Sequence, residues 1–150
     1  EYKSCLTIAS SAYRCIRVEN RLLIDSNYRP KQYTENKFEA QKNGKVIYDK
    51  ATGLTWQQSG SEKSMRYEET RDYISQLNKE GFAGYNDWRL PTLKEAITLL
   101  KTEKSNNDYF TDPVFDNNQG CIWTSDAWTV SFGFGICISG TTVFYVRAVR

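Results

Sequence analysis

Gly84-Tyr85-Asn86-Asp87-Trp88-Arg89-Leu90-Pro91-Thr92 is the stretch on which the reading of this chain turns. Pro91 has no N–H and disfavours helical geometry at Leu90, so the segment should enter the next element as a rigid extended arm. Thr92 suits an N-cap. Glu95, three residues on, completes a capping box, in which each side chain satisfies a backbone N–H of the other's turn. A helix is therefore expected from Leu93. Residues two apart in an extended segment share a face, which predicts an Asp87–Arg89 pair beside the Trp88 indole; if it is buried, removing one partner costs about 3–5 kcal/mol.

Beyond the corner, Leu93, Ala96, Ile97 and Leu100 recur at helical spacing and predict a helix over residues 93–102. Upstream, Tyr67, Thr70, Ile74 and Leu77 predict another, capped by Ser64 and stopped by Gly81 after Lys79-Glu80. The β-rich runs Lys45–Asp49 and Leu54–Gln57 flank Lys50-Ala51-Thr52-Gly53 and predict a hairpin. Residues 103–120 read as a long loop, and such loops in compact domains are usually functional or mobile. From Cys121 the texture is that of strands, over 121–125, 128–132 and 142–149, with Gly133, Gly135 and Gly140 at the turns. The expected architecture is α+β, with two helices packed on antiparallel sheets, long loops and a C-terminal meander. Residues 1–41 read as an extended N-terminal arm and 42–150 as the domain. Tyr13-Arg14-Cys15-Ile16-Arg17 echoes Val146-Arg147-Ala148-Val149-Arg150, so the arm could instead begin as the tail of a preceding similar domain.

A chain of 150 residues has room for one domain with a sizeable core. There is no histidine, which excludes serine–histidine and cysteine–histidine catalysis and removes the commonest nitrogen ligand for metals. Cys5, Cys15, Cys121 and Cys137 show no C-x-x-C spacing. Two disulfides are expected, and among the three connectivities the local one is preferred, Cys5–Cys15 and Cys121–Cys137. Each such loop would contribute roughly 3 kcal/mol in the chain-entropy model. Disulfides place a protein in an oxidising compartment, secreted, cell-surface or periplasmic; buried free thiols in the cytosol are the competing reading. Residues 1–50 hold ten Lys/Arg against six Asp/Glu, and residues 105–146 hold no basic residue at all. That is not the footprint of a nucleic-acid binder. No apolar run is long enough to span a bilayer, so no direct membrane insertion is expected.

Asp49-Lys50-Ala51-Thr52-Gly53-Leu54-Thr55-Trp56-Gln57, then Gly84 to Thr92, then Trp123-Thr124-Ser125, then Val146-Arg147-Ala148-Val149-Arg150 stand in the order of landmarks of a known family. Over residues 42–150 the chain resembles the Lcl C-terminal domain family, long a domain of unknown function and named after the end domain of a Legionella collagen-like adhesin. The resemblance implies a fold related to C-type lectins and formylglycine-generating enzymes. It also implies an extracytoplasmic binding module, in the best-known case one that attaches to sulfated glycans. Many members carry paired cysteines where this chain has Ile74 and Ala148.

The function expected is a non-catalytic recognition or adhesion module for a glycan or a surface protein. Its ligand surface would lie on the 103–120 loop and the meander turns, at Asn106, Asn107, Tyr109, Asn118, Asp126, Trp128 and Phe134. Aromatic faces beside oriented amides suit such ligands. Trp56, Trp88, Trp123 and Arg147, with Asp87, Arg89, Pro91, Thr92 and Glu95, form the structural set. No cofactor is expected. Asp108, Asp112 and Asp116 offer oxygens to calcium, but their spacing fits no EF-hand. Two alternatives stand beside this reading. One is a structural spacer or oligomerisation domain of a larger surface protein; the other is a thiol- or copper-dependent oxidase-like enzyme using Cys121 and Cys137.

Overall fold

The computed structural model describes residues 23–139 and 142–150. Cys5, Cys15 and the echo at residues 13–17 lie outside the described residues. The first sheet has the order β1 (Phe38–Gln41), β2 (Val46–Asp49), β3 (Thr55–Gln57), all antiparallel. Here β2 and β3 are the hairpin read from sequence. Its turn is organised by the buried Asp49 carboxylate. That group accepts from Asn36 Nδ2 at 2.8 Å, the Lys37 and Ala51 amides at 2.8 and 3.0 Å, and Thr52 Oγ1 at 2.9 Å. Burial alone would raise its pKa, but the four hydrogen bonds outweigh burial and hold it below the usual carboxylate range. The sheet begins at Phe38, within the stretch read as an arm, and Ile24, Leu23, Tyr28 and Tyr33 pack on the main core.

The second sheet has the order β4 (Cys121–Trp123), β5 (Trp128–Ser131), β6 (Ile136–Ser139). The meander is present, but its third strand is 136–139 and not 142–149. Residues 144–150 do something else: they stitch the two sheets together. Tyr145 bridges Ile122 of β4, and Val149 bridges Trp56 on one side and Arg89 on the other. Val146, Ala148 and Val149 are fully buried, so their backbone groups must find partners inside the protein, and Ser61, Gln57 and Arg89 supply them.

The expected Cys121–Cys137 bridge is not formed, and Cys121 is a free thiol. Strands β4 and β6 lie on opposite sides of β5. Two strand spacings separate their backbones by about 9–10 Å, which no disulfide spans.

Helix α1 (Thr70–Lys79) is preceded by a 3₁₀ turn, Tyr67–Glu69, and ends before Gly81, whose φ of 62° stops it as the sequence predicts. Its lead-in is not capped by Ser64; the turn opens at Arg66, whose amide donates to the Glu69 carboxylate at 2.7 Å. Helix α2 (Leu93–Ile97) starts with the predicted box: Thr92 Oγ1 accepts from the Glu95 amide at 3.2 Å, and Glu95 Oε2 from the Thr92 amide at 2.9 Å. It is shorter than the predicted 93–102. The amides of Thr98, Leu99 and Leu100 tighten to i−3 bonds, and the Lys101 amide turns to the Phe110 carbonyl at 2.9 Å. Leu99 and Leu100 stay buried in this turn, so the apolar spacing continues after the helix has stopped.

The main core joins Ile47, Trp56, Ile122, Trp128 and Val130 from both sheets, Leu93 from α2, Leu100 from the turn after it and Phe115 from the 103–120 loop. A smaller core gathers Val46, Leu77, Trp88 and Ala148 under α1, with Ile74 packed against it. Ile74 and Ala148 thus share one apolar cluster.

The corner itself departs from its reading in one respect. Asp87 and Arg89 do not pair with each other. Asp87 accepts from Arg150 Nε at 2.6 Å, while Arg89 forms two bonds to the Glu95 carboxylate at 2.8 and 2.7 Å. The Arg89–Val149 bridge carries Arg150 alongside Asp87, and the first turn of α2 brings Glu95 back to Arg89. Both pairs are substantially exposed, so neither has the cost of a buried pair. Trp88 does point inward, its backbone held on both sides by the Asn78 amide and its indole N–H donated to the Phe82 carbonyl at 3.1 Å.

Candidate functional site

The 103–120 loop and the β5–β6 turn, expected to share a surface, are in contact. The Phe110 amide donates to the Phe132 carbonyl at 2.8 Å, and the Phe110 ring lies against Gly135. A Cβ at Gly135 would come within 3.1 Å of that ring, and its φ of 66° favours glycine as well. Tyr109 is half-buried, with its hydroxyl against Gly120 and its ring beside Gly133, so it fastens the loop to the sheet end. Asn106 is buried, and its side chain donates to the Asp112 and Phe115 carbonyls at 3.2 and 2.8 Å. Both N–H donors of its side chain close the loop, which makes it a support of the loop. Asn107 and Asp108 form the exposed tip in left-handed conformations, with φ of 47° and 66°.

At the centre of this end stands Phe134. It is 71% exposed, while Trp56, Trp88, Trp123 and Trp128 are all buried. It overlooks a cleft of about 610 Å³ formed with Ser26, Asn27, Tyr28, Arg29 and Ile136. The Asp25 carboxylate accepts from the Asn27 and Arg29 amides at 2.8 and 3.1 Å and so shapes the facing turn. Sequence reading missed Asn27, Arg29 and Phe110 here. Asp25-Ser26-Asn27 has the composition of a turn, but nothing local ties it to a turn more than a hundred residues away.

Two of the remaining site candidates, Trp128 and Asp126, lie elsewhere. Trp128 is core, and Asp126 sits in the β4–β5 turn at the other end of β5, accepting a hydrogen bond from Thr124. Asn118 is bonded to Asp116, whose carboxylate also accepts from Ser59 Oγ at 2.9 Å. Asp112 faces Lys101 at 3.1 Å. Among the described residues no three acidic or thiol groups gather as a metal site. Near Asp126 a second concavity of about 850 Å³ runs between α1 and the corner, floored by Tyr67, Ile74 and Leu90, with Arg71 and Arg89 on its rim. The Tyr67 hydroxyl donates to the Ser125 carbonyl at 2.6 Å; burial and the nearby Asp126 charge raise its pKa.

The profile of the Lcl C-terminal domain matches residues 45–150, well over half of the chain. The chain belongs to the Lcl C-terminal domain family. Comparison with curated proteins and with solved structures gives no match. Within the Lcl domain, Trp56, the Trp88 corner, Trp123 and the terminal Arg147 are all built into the interior or its edge. No described helix is long and apolar enough to cross a membrane.

Proposed function

We propose that this Lcl domain is a non-catalytic recognition module of an extracytoplasmic protein, binding a glycan or a protein surface at the end formed by the 103–120 loop and the β5–β6 turn. The observation that carries the reading is Phe134, an exposed aromatic ring presented on a glycine-flanked turn above a cleft with polar walls. A flat apolar face beside amide and guanidinium donors is the chemistry that stacks on a sugar ring or anchors a protein contact. A thiol- or copper-based reaction has less support, because Cys121 is two strands from Cys137 and burial pushes its thiol up to about 11 despite a hydrogen bond with Thr129.

The test is a glycan array and a pull-down with the wild-type domain, followed by Phe134→Ala and Arg29→Ala. Phe134→Ala should abolish capture with an unchanged melting temperature. Binding that survives Phe134→Ala but is lost in Arg71→Glu would move the surface to the α1 groove and overturn this reading.

A further inference from the structure

Arg147 is fully buried, yet among the described residues its donors reach no carboxylate. Nη2 donates to the Asp116 carbonyl at 2.7 Å, to Gln119 Oε1 at 3.1 Å and to the Gln58 carbonyl at 3.4 Å, and Nε to the Ser59 carbonyl at 3.4 Å. Its guanidinium carbon lies 4.9 Å from the Phe115 ring centroid and 5.8 Å from that of Phe132. A planar cation can offer its faces to aromatic rings and its edge to carbonyls at once, which an ammonium cannot. Burying a cation without a bonded counter-charge is costly, and the usual structural solution is an apolar side chain.

The partners explain the cation. Phe115, Asp116 and Gln119 belong to the 103–120 loop, and Phe132 opens the β5–β6 turn. Phe115 offers its carbonyl to Asn106, the Asn106 carbonyl accepts from the Tyr109 amide at 3.0 Å, and neighbouring Phe110 donates to the Phe132 carbonyl at 2.8 Å. The contacts close a ring that returns to Arg147. We propose that Arg147 is a positioning residue for the recognition surface, holding the loop and the Phe134 turn in one fixed relation from beneath. The role as a positioner of a binding surface rests on the recognition reading given above; the clamp itself does not.

Native-state hydrogen exchange on the whole chain tests the clamp without any ligand. Arg147→Lys should raise exchange at residues 105–119 and 132–135 by at least about tenfold while β1 and β2 keep wild-type protection. Uniform loosening that includes β1 and β2, or no change at the loop and turn, overturns the clamp. If Arg147→Lys does not fold, Asn106→Ala decides, because it cuts the ring without touching the cation. Faster exchange at 132–135 as well as at the loop supports the linkage, and loosening confined to the loop refutes it. Phe134→Ala should leave all these protections unchanged, so failure of the surface reading is distinguishable from failure of the clamp.

Discussion

Replacing Glu95 by Ala removes two interactions at once, and their sizes follow from the geometry. The carboxylate accepts from the Thr92 amide, completing the N-terminal box of α2, and it takes both Nη atoms of Arg89. Loss of the hydrogen bond from the Thr92 amide costs about 1 kcal/mol. The ion pair is bidentate but exposed, with 47% of the Arg89 side chain and 22% of that of Glu95 open to solvent, which limits it to about 0.5–1 kcal/mol. Glu95→Ala should therefore cost about 1.5–2 kcal/mol, and Arg89→Ala only the pair, about 0.5–1 kcal/mol. At this chain length those values lower the melting temperature by about 3–8 °C and 1–4 °C. The double variant should be no less stable than Glu95→Ala alone, within about 0.5 kcal/mol. Urea denaturation of the four proteins completes the cycle. An Arg89→Ala cost of 3 kcal/mol or more, the size expected of a buried pair, or full additivity of the two changes, would refute the reasoning. The hydrogen bond from Arg89 is the main reason that the Glu95 pKa is lowered. A carboxylate lowered in the folded state contributes its stability above the ordinary range and loses it as pH falls through the folded value, so the penalty of Glu95→Gln should shrink on acidification.

Asp49→Asn should cost about 1–3 kcal/mol at neutral pH, because the buried turn loses charge-assisted acceptors. Since the Asp49 pKa is lowered, the gap to wild type should narrow as pH falls below the carboxylate range, and a gap that widens would contradict the assignment. Cys121 should resist alkylation at pH 8 in the folded protein and label promptly in urea. With a thiol near 11, only about one molecule in a thousand carries the thiolate, and peptide mapping reads the result. Calcium or a chelator should move the melting temperature by less than about 1 °C, since a cation bound only by the folded state would raise it.

What the sequence made legible were features whose causes are local. The β2–β3 hairpin, the Gly81 stop and the Thr92–Glu95 box each depend on a few neighbouring residues, and each is present. Strand β1 was hidden because Phe-Glu-Ala-Gln has little β propensity and an exposed middle; only its partner makes it a strand. The end of α2 was hidden because Leu99 and Leu100 are buried whether the chain stays helical or turns. The choice of partners for Asp87 and Arg89 was hidden for a third reason. A shared face permits a pair, but the C-terminal segment and the first turn of α2 offered each residue a different one.

The same tertiary choice limited the reading of the site. Asn106, Tyr109 and Phe134 belong to the loop and turn that do meet, yet of these three only Phe134 presents its side chain largely to solvent. Polar and aromatic residues in a long loop look alike in sequence whether they hold the loop shut or face a ligand. A loop whose backbone leaves the sheets must satisfy its carbonyls inside the protein, and here Asn106 and Arg147 do so. The residues best suited by chemistry to bind something outside are thus partly consumed in holding the loop. On the proposed reading, recognition then falls to the tip and to the glycine-flanked turn that carries Phe134, with Arg147, Phe115 and Phe132 as the proposed clamp on that backbone.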